Sequence, residues 1–264
     1  MPHTQKMIEE YTPEYCHFLE ATYGEGMMSE GGLDAIDDMF SGLDLADKQV
    51  LDIGFGLGAA ALHLADQYHA IVKGVELNPW LVEQATQRTP AHLKDRAEFL
   101  QYDLALPFEN ESLDLVYSRG VFVHIHDKKP LFSEIKRVLK PGGKLLIYDW
   151  LSPIHDQWGA RLQKMCEMEN LTLYAQTQED YLQLLKTVGF ADIKVTDKTQ
   201  QHAQYNQDIA DRLAQPDIAT GFTQEFGAQP WRDAIEAYQL ISDSMKDREL
   251  LAYWFAAIKP GNSA

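Results

Sequence analysis

The sequence predicts an α/β fold with a mostly parallel sheet of seven strands flanked by helices. Three observations carry this expectation. Between residues 49 and 150, short apolar runs alternate with longer amphipathic ones, the pattern of βαβ units and a parallel sheet. The apolar run "QVLDIG" leads into a turn with glycines at Gly54, Gly56 and Gly58, followed by an alanine-rich helical pattern. Two further strand patterns lie beyond residue 188, separated by a long helical stretch.

Taken in order, residues 1–48 read as mostly helical, with a glycine-rich loop at "YGEGMMSEGG". "QVLDIG" is the first strand and Leu57 to Gln67 the first helix of the alternating region. "AIVKGVEL" is the second strand, and Pro79 follows at a favoured helix-start position. "AEFLQYD" is the third strand. "SLDLVYSR", alternating and rich in β-branched and aromatic residues, is the fourth. "KPLFSEIKRVLKPGG" reads as an amphipathic helix stopped by Pro141 and Gly142, and "KLLIYDWL" as the fifth strand. Residues 152–188 read as helix, loop, helix. "FADIKVTD" is the sixth strand, residues 199–248 are helical and polar, and "LLAYWFAAIKP" is the last strand. The expectation is one domain over residues 1–264. It comprises an N-terminal helical lid (1–48), a Rossmann-like core (49–151), and a substrate or lid insertion with the last strands (152–264).

Composition narrows the classes of function. The 264 residues suffice for a large buried core, and 45% hydrophobic with 24% charged residues is ordinary for a globular chain. A formal net charge of -17 disfavours nucleic acid and anionic membrane surfaces as partners. Two cysteines, Cys16 and Cys166, imply neither a disulfide framework nor a thiolate metal site. With no apolar run near ~18 residues and no basic-plus-apolar leader, neither a membrane span nor a signal peptide is expected. The default is a cytoplasmic protein, with a monomer favoured.

The turn after the first strand is built for a ligand, because doubly wound sheets bind ligands beyond the carboxyl ends of their strands. Its spacing, G-x-G-x-G preceded by Asp52, differs from the G-x-G-x-x-G of dinucleotide binders and lacks the Lys-Ser/Thr of a P-loop. The second strand ends in Glu76, where a carboxylate can accept both ribose hydroxyls, with Leu77 next to it. The third strand ends in Asp103 and Leu104, an acid for an adenine amino group beside an apolar residue for its ring. No basic residue in these turns meets a pyrophosphate. A nucleoside with a positive centre and no phosphate matches best, which points to S-adenosylmethionine.

"VLDIGFGLG", Glu76, "YDLALPFENESLDLVYSR" and "LKPGGKLLIYD", in this order and spacing, resemble the class I S-adenosylmethionine-dependent methyltransferases. "EYTPEYCHFLEATYGEGMMSEGG" and "YSRGVFVHIHDKKPLF" resemble, more narrowly, the phosphoethanolamine N-methyltransferases, which build phosphocholine from phosphoethanolamine. The resemblance implies a catalytic pair at Tyr11 and His124, with the tyrosine latching the lid over the cofactor and the histidine bearing on proton removal from the amine. It also implies Ser29 at the cofactor's amino-acid end and Arg119 on the cofactor side. His126 is the alternative to His124. Trp150, Tyr174 and Arg232 are candidates for the acceptor side. No metal is expected, since there is no HExxH pattern or cysteine cluster.

Two departures bear on the acceptor. Gly120 follows Arg119 where the family usually has an aspartate. Leu171 and Leu173 stand where the family has phosphate-gripping arginine and tyrosine, and the segment "PWRDAIEAY" lacks the family's lysine. Arg161, Lys164, Arg212 and Arg232 remain as sources of charge-assisted donors for a phosphate. The leading expectation is N-methylation of phosphoethanolamine, its methylated forms or a close analogue. Methylation of oxygen, carbon or sulfur on a larger apolar acceptor stands beside it, as does cofactor binding without catalysis.

Overall fold

A computed structural model describes residues 2–261, so Met1 and residues 262–264 of the expected lid and insertion lie outside the described residues. The N-terminal segment folds as α1 (Pro2–Glu10), α2 (Pro13–Tyr23) and α3 (Gly32–Phe40). The alternating region runs β1 (Gln49–Ile53), α4 (Ala59–Gln67), β2 (Ile71–Glu76), α5 (Pro79–Arg88), β3 (Ala97–Gln101), β4 (Leu113–Arg119), α6 (Lys129–Val138) and β5 (Leu139–Leu151). The remainder is α7 (Ala160–Glu169), α8 (Gln178–Val188), β6 (Ala191–Asp197), α9 (Thr199–Leu213), α10 (Pro216–Phe226), α11 (Ala228–Lys246) and β7 (Leu251–Ile258).

Local chemistry explains the boundaries that matter for the site. Thr12 caps α2 by accepting from the Tyr15 backbone N–H at 3.2 Å, with Pro13 in the first helical position. Asn78 caps α5 in the same way, accepting from Trp80 N–H at 3.0 Å ahead of Pro79. Helix α4 begins at Ala59, two residues later than the sequence reading, because Gly58 holds a left-handed φ of 91°.

The seven strands form one sheet in the order β3-β2-β1-β4-β5-β7-β6. All neighbours from β3 to β5 pair in parallel, and β7 runs antiparallel between β5 and β6. The chain builds outward from β1 to β3 and then returns to place β4 on the other side of β1. That reversal opens a crevice at the carboxyl ends of β1 and β4. Alternation along the strands divides the core between the two faces. Val50, Leu115, Tyr117 and Tyr148 pack into one cluster, and Leu51, Ile53, Val116 and Ile147 into the other.

One boundary corrects the sequence reading. Helix α6 ends at Val138, and Pro141 and Gly142 lie inside β5 rather than stopping the helix. Leu139 already pairs with Leu113, and the register then shifts before Lys144 pairs with Leu115. The irregular stretch accommodates a proline that a regular ladder would exclude. Gly142, at φ 78°, donates to the Lys259 carbonyl at 2.8 Å.

Candidate active site

Two adjoining cavities occupy the crevice. The larger, ≈ 850 Å³ including its mouth, is walled by Met7 and Ile8 of α1, by Tyr11 and Met28, and by the turn after β1 and the ends of β2 and β4. That volume suits a nucleoside-sized ligand. The second, ≈ 550 Å³, opens beside it between α2, α7 and the chain after β4 and β5. Tyr11, Met28, Ser29, Gly120 and His124 line both, so these residues form the wall where the two cavities meet.

Backbone conformation makes the cradle. Gly54 turns the chain at φ 75°, and a Cβ there would fall inside the Val121 side chain, which also lines the larger cavity. Behind it, Asp52 is buried and accepts from the Tyr117 hydroxyl at 2.7 Å. Burial pushes its carboxyl up to about 7, opposed by the Tyr117 hydrogen bond and the Arg119 charge. The Glu76 carboxylate, also raised by burial, accepts from backbone N–H groups of Leu77 at 2.7 Å, Asn78 at 3.3 Å and Gly56 at 3.4 Å. Across the cavity, Arg119 donates to the Glu30 carbonyl at 2.7 Å.

His124 sits in a short turn, Phe122–His124, directly after β4. Its Nε2 lies 3.1 Å from the Tyr11 hydroxyl, with the two rings edge-to-face at 5.5 Å. Tyr11 is fixed by its own backbone, whose carbonyl accepts from the Asn78 side chain at 2.9 Å. The residue that caps α5 thus also anchors the tyrosine. Burial, with the Lys128 ammonium nearby, pulls the His124 imidazole down to about 4, partly offset by the Thr172 backbone. At neutral pH the ring is therefore uncharged. The Tyr11 phenol is pushed far above its usual range by burial and the Glu169 charge, so it keeps its proton and can donate it to Nε2.

Of the expected cofactor residues, Tyr11, Ser29, Asp52, Gly54, Gly56, Glu76, Leu77 and Arg119 line the larger cavity. Gly58, Asp103 and Leu104 line neither cavity. Gly58 serves packing, since a Cβ there would press on Ala85 and Phe99 at 3.0 and 3.1 Å. Strand β3 stops at Gln101, and the chain turns at Leu104, φ 73°, where the half-buried Leu104 side chain packs against the core and Asp103 is left exposed. Among the acceptor candidates, Trp150 lines the second cavity. Tyr174 packs its ring against the exposed His126, 5.0 Å away, outside both cavities. Arg232 is exposed on α11 and donates to Gln229 at 2.8 Å. His124 and not His126 stands between the cavities.

Three residues that the sequence reading passed over shape the site. Asn78 was readable as a helix cap before Pro79, though not as the anchor of Tyr11. Glu30 is buried, with Oε2 accepting from the Tyr148 hydroxyl at 2.6 Å and Oε1 from Trp150 Nε1 at 2.9 Å and Asn206 Nδ2 at 3.2 Å. Glu169, at the end of α7, accepts from the Tyr15 hydroxyl at 2.6 Å and lines the second cavity. In sequence it looks like any surface acid.

The fold and the paired cavities define a class I S-adenosylmethionine-dependent methyltransferase, and a protein-family model described as a methyltransferase domain matches residues 51–147. The phosphoethanolamine N-methyltransferase of Plasmodium falciparum is 30% identical over 187 residues, covering 70% of this chain and 69% of that protein. Phosphoethanolamine N-methyltransferase 1 of Arabidopsis thaliana is 29% identical over 223 residues, covering 83% of this chain but 44% of the relative, so the chain spans under half of that protein's length. The chain belongs to the phosphoethanolamine N-methyltransferase family. Among solved structures, Haemonchus contortus phosphoethanolamine N-methyltransferase 2, in complex with phosphomonomethylethanolamine and S-adenosylhomocysteine, matches with a TM-score of 0.86. The match has 26% identity and covers 95% of this chain and 58% of that one.

Proposed function

We propose that the chain transfers the methyl group of S-adenosylmethionine to the nitrogen of a small amine of the ethanolamine type. The observation that carries this reading is the shared wall, where a nucleoside-sized cavity and a smaller one meet at the Tyr11–His124 pair. The cavity's own chemistry fits the cofactor. The Glu76 carboxylate is pinned by three backbone N–H groups at the cavity wall and suits ribose hydroxyls. Leu77 offers an apolar surface to the adenine, and Arg119 with Ser29 suits the amino-acid end. S-adenosylmethionine supplies an electrophilic methyl on a positively charged sulfur.

The protein's part is to orient the nitrogen, exclude water and leave its lone pair free. An alkylammonium has a pKa of about 10, so handing its proton to an imidazole at about 4 is uphill by about 8 kcal/mol. The acceptor arrives as its ammonium and gives that proton to water before attack, and His124 serves the neutral amine that results. The imidazole accepts the Tyr11 hydroxyl, which leaves the phenol oxygen to accept an N–H of the amine. Residues 1–48 act as a lid over the cofactor, residues 49–151 hold it, and the acceptor side is shared by the lid, the core and residues from α7 onward such as Glu169, Leu171 and Leu173.

The test is S-adenosylhomocysteine release with ethanolamine, phosphoethanolamine and their N-methyl forms beside an apolar phenol. Turnover of an amine, with a loss of about 10²-fold or more in His124→Ala, is expected. Undiminished activity in that variant would sink the role given to His124. A second reading, methylation of an apolar acceptor, is favoured by Leu171 and Leu173 in the smaller cavity. It is also favoured by a 32% identity over 168 residues to tocopherol O-methyltransferase of Arabidopsis thaliana. Turnover of the phenol alone would select it.

A further inference from the structure

We infer that the acceptor is an organic ammonium carrying no phosphate or carboxylate, and that Glu169 selects it. This rests on the amine reading above and departs from the substrate for which the relatives are named. The smaller cavity contains no arginine or lysine in its wall, but it contains two carboxylates, Glu30 and Glu169. Its remaining wall is largely aromatic or apolar, with Tyr15, Tyr23 and Trp150 on one side and Leu171 and Leu173 on another. Aromatic faces beside a carboxylate suit a cation and its methylated forms. A phosphate dianion needs charge-assisted donors and here would face carboxylates instead.

The basic side chains that the sequence offers as a phosphate grip are committed elsewhere. Arg161 pairs with Asp247 and lies 3.5 Å from Glu249, and Lys164 pairs with Glu236. Arg212 donates to the Thr22 carbonyl, and Arg232 to Gln229. Arg119 lines the cofactor cavity and not this one. The Tyr15 hydroxyl is engaged too, since it donates to Glu169. Glu30 is tied by Tyr148, Trp150 and Asn206, whereas Glu169 Oε2 accepts from Tyr15 and the carboxylate still has acceptor capacity toward an ammonium N–H.

The experiment is calorimetric titration of the protein loaded with S-adenosylhomocysteine, using N,N-dimethylethanolamine, its phosphate ester and dimethylglycine. The plain amine is expected to bind at least about tenfold more tightly than either anionic ligand. Glu169→Gln, which keeps a partner for Tyr15, is expected to lose about tenfold or more of that affinity while binding S-adenosylhomocysteine as before. Equal or tighter binding of the phosphate ester overturns the inference, as does unchanged amine affinity in Glu169→Gln. Turnover with S-adenosylmethionine separates the two levels. Preferred methylation of the phosphorylated amine overturns this inference and leaves the N-methyltransferase reading intact. Tight binding of the plain amine without methylation removes that reading, and with it the claim that this amine is the acceptor.

Discussion

Tyr11 and His124 are 113 residues apart in sequence and touch through one hydrogen bond. Removing only that bond is the cleanest probe of their pairing. Tyr11→Phe keeps the ring on its neighbours and leaves His124 Nε2 without a donor. A fall of about 10–100-fold in kcat, with S-adenosylhomocysteine affinity held within a few-fold, is expected in steady-state kinetics and titration. The low pKa of His124 makes a second prediction. In the unfolded chain imidazole titrates near 6.5, and in the folded protein at about 4. Between those values the unfolded chain binds a proton that the folded one refuses, so stability contributed by this residue falls as pH drops from about 6.5 to about 4. The full loss is about 3 kcal/mol. Asp52 and Asp149, both raised by burial to about 7, act in the opposite sense and gain stability as pH falls below 7. They are common to both proteins when wild type is compared with His124→Asn. The difference between wild type and variant in how unfolding free energy changes from pH 7 to pH 5 therefore isolates the histidine: on acidification the variant's stability should rise more, or fall less, than that of wild type.

At the scale of elements, the N-terminal segment is held to the sheet by polar contacts made through one acid. Glu30 lies in the loop before α3 and joins Tyr148 and Trp150 of β5 to Asn206 of α9, while Tyr148 also stacks on His202. Glu30→Ala leaves these buried donors unpaired and should cost about 2–3 kcal/mol in denaturant unfolding. It should also weaken S-adenosylhomocysteine binding, because Ser29 and the Arg119 contact belong to the same loop. Aromatic packing of Phe18 in α2 on Phe222 and Phe226 of α10 holds the other side of this segment. The helical elements were legible from their caps and periodicity. The end of α6 was not, because a Pro-Gly pair reads locally as a helix stop, whereas here Val138 closes the helix and the pair falls within a strand irregularity.

Over the whole molecule, 40 acidic residues face 23 basic ones, so many surface carboxylates have no cation to pair with. Self-repulsion of that charge weakens the compact state, and salt screens it. Thermal melts should show Tm rising by a few degrees between low and ~0.5 M sodium chloride. A fall would mean that surface pairs such as Arg96–Asp47 and Arg248–Asp197 contribute more than repulsion costs. Among the described residues no helix is long and apolar enough to cross a membrane.

The sequence by itself determined the parallel core, the glycine turn, the carboxylate at the end of β2 and the class of cofactor. These follow from periodicity, caps and a local turn, all written within a few residues of one another. Only the tertiary structure decided which acid and which histidine line the cavities. Asp103 and Glu169 look alike as letters, yet a left-handed turn at Leu104 leaves one exposed, and the placement of α7 beside Tyr15 brings the other into a cavity. The same holds for the basic side chains, whose partners Asp247, Glu236 and the Thr22 carbonyl lie tens of residues or more away in the chain. Burial and charge pairing depend on neighbours brought together by the fold, and no local pattern encodes them.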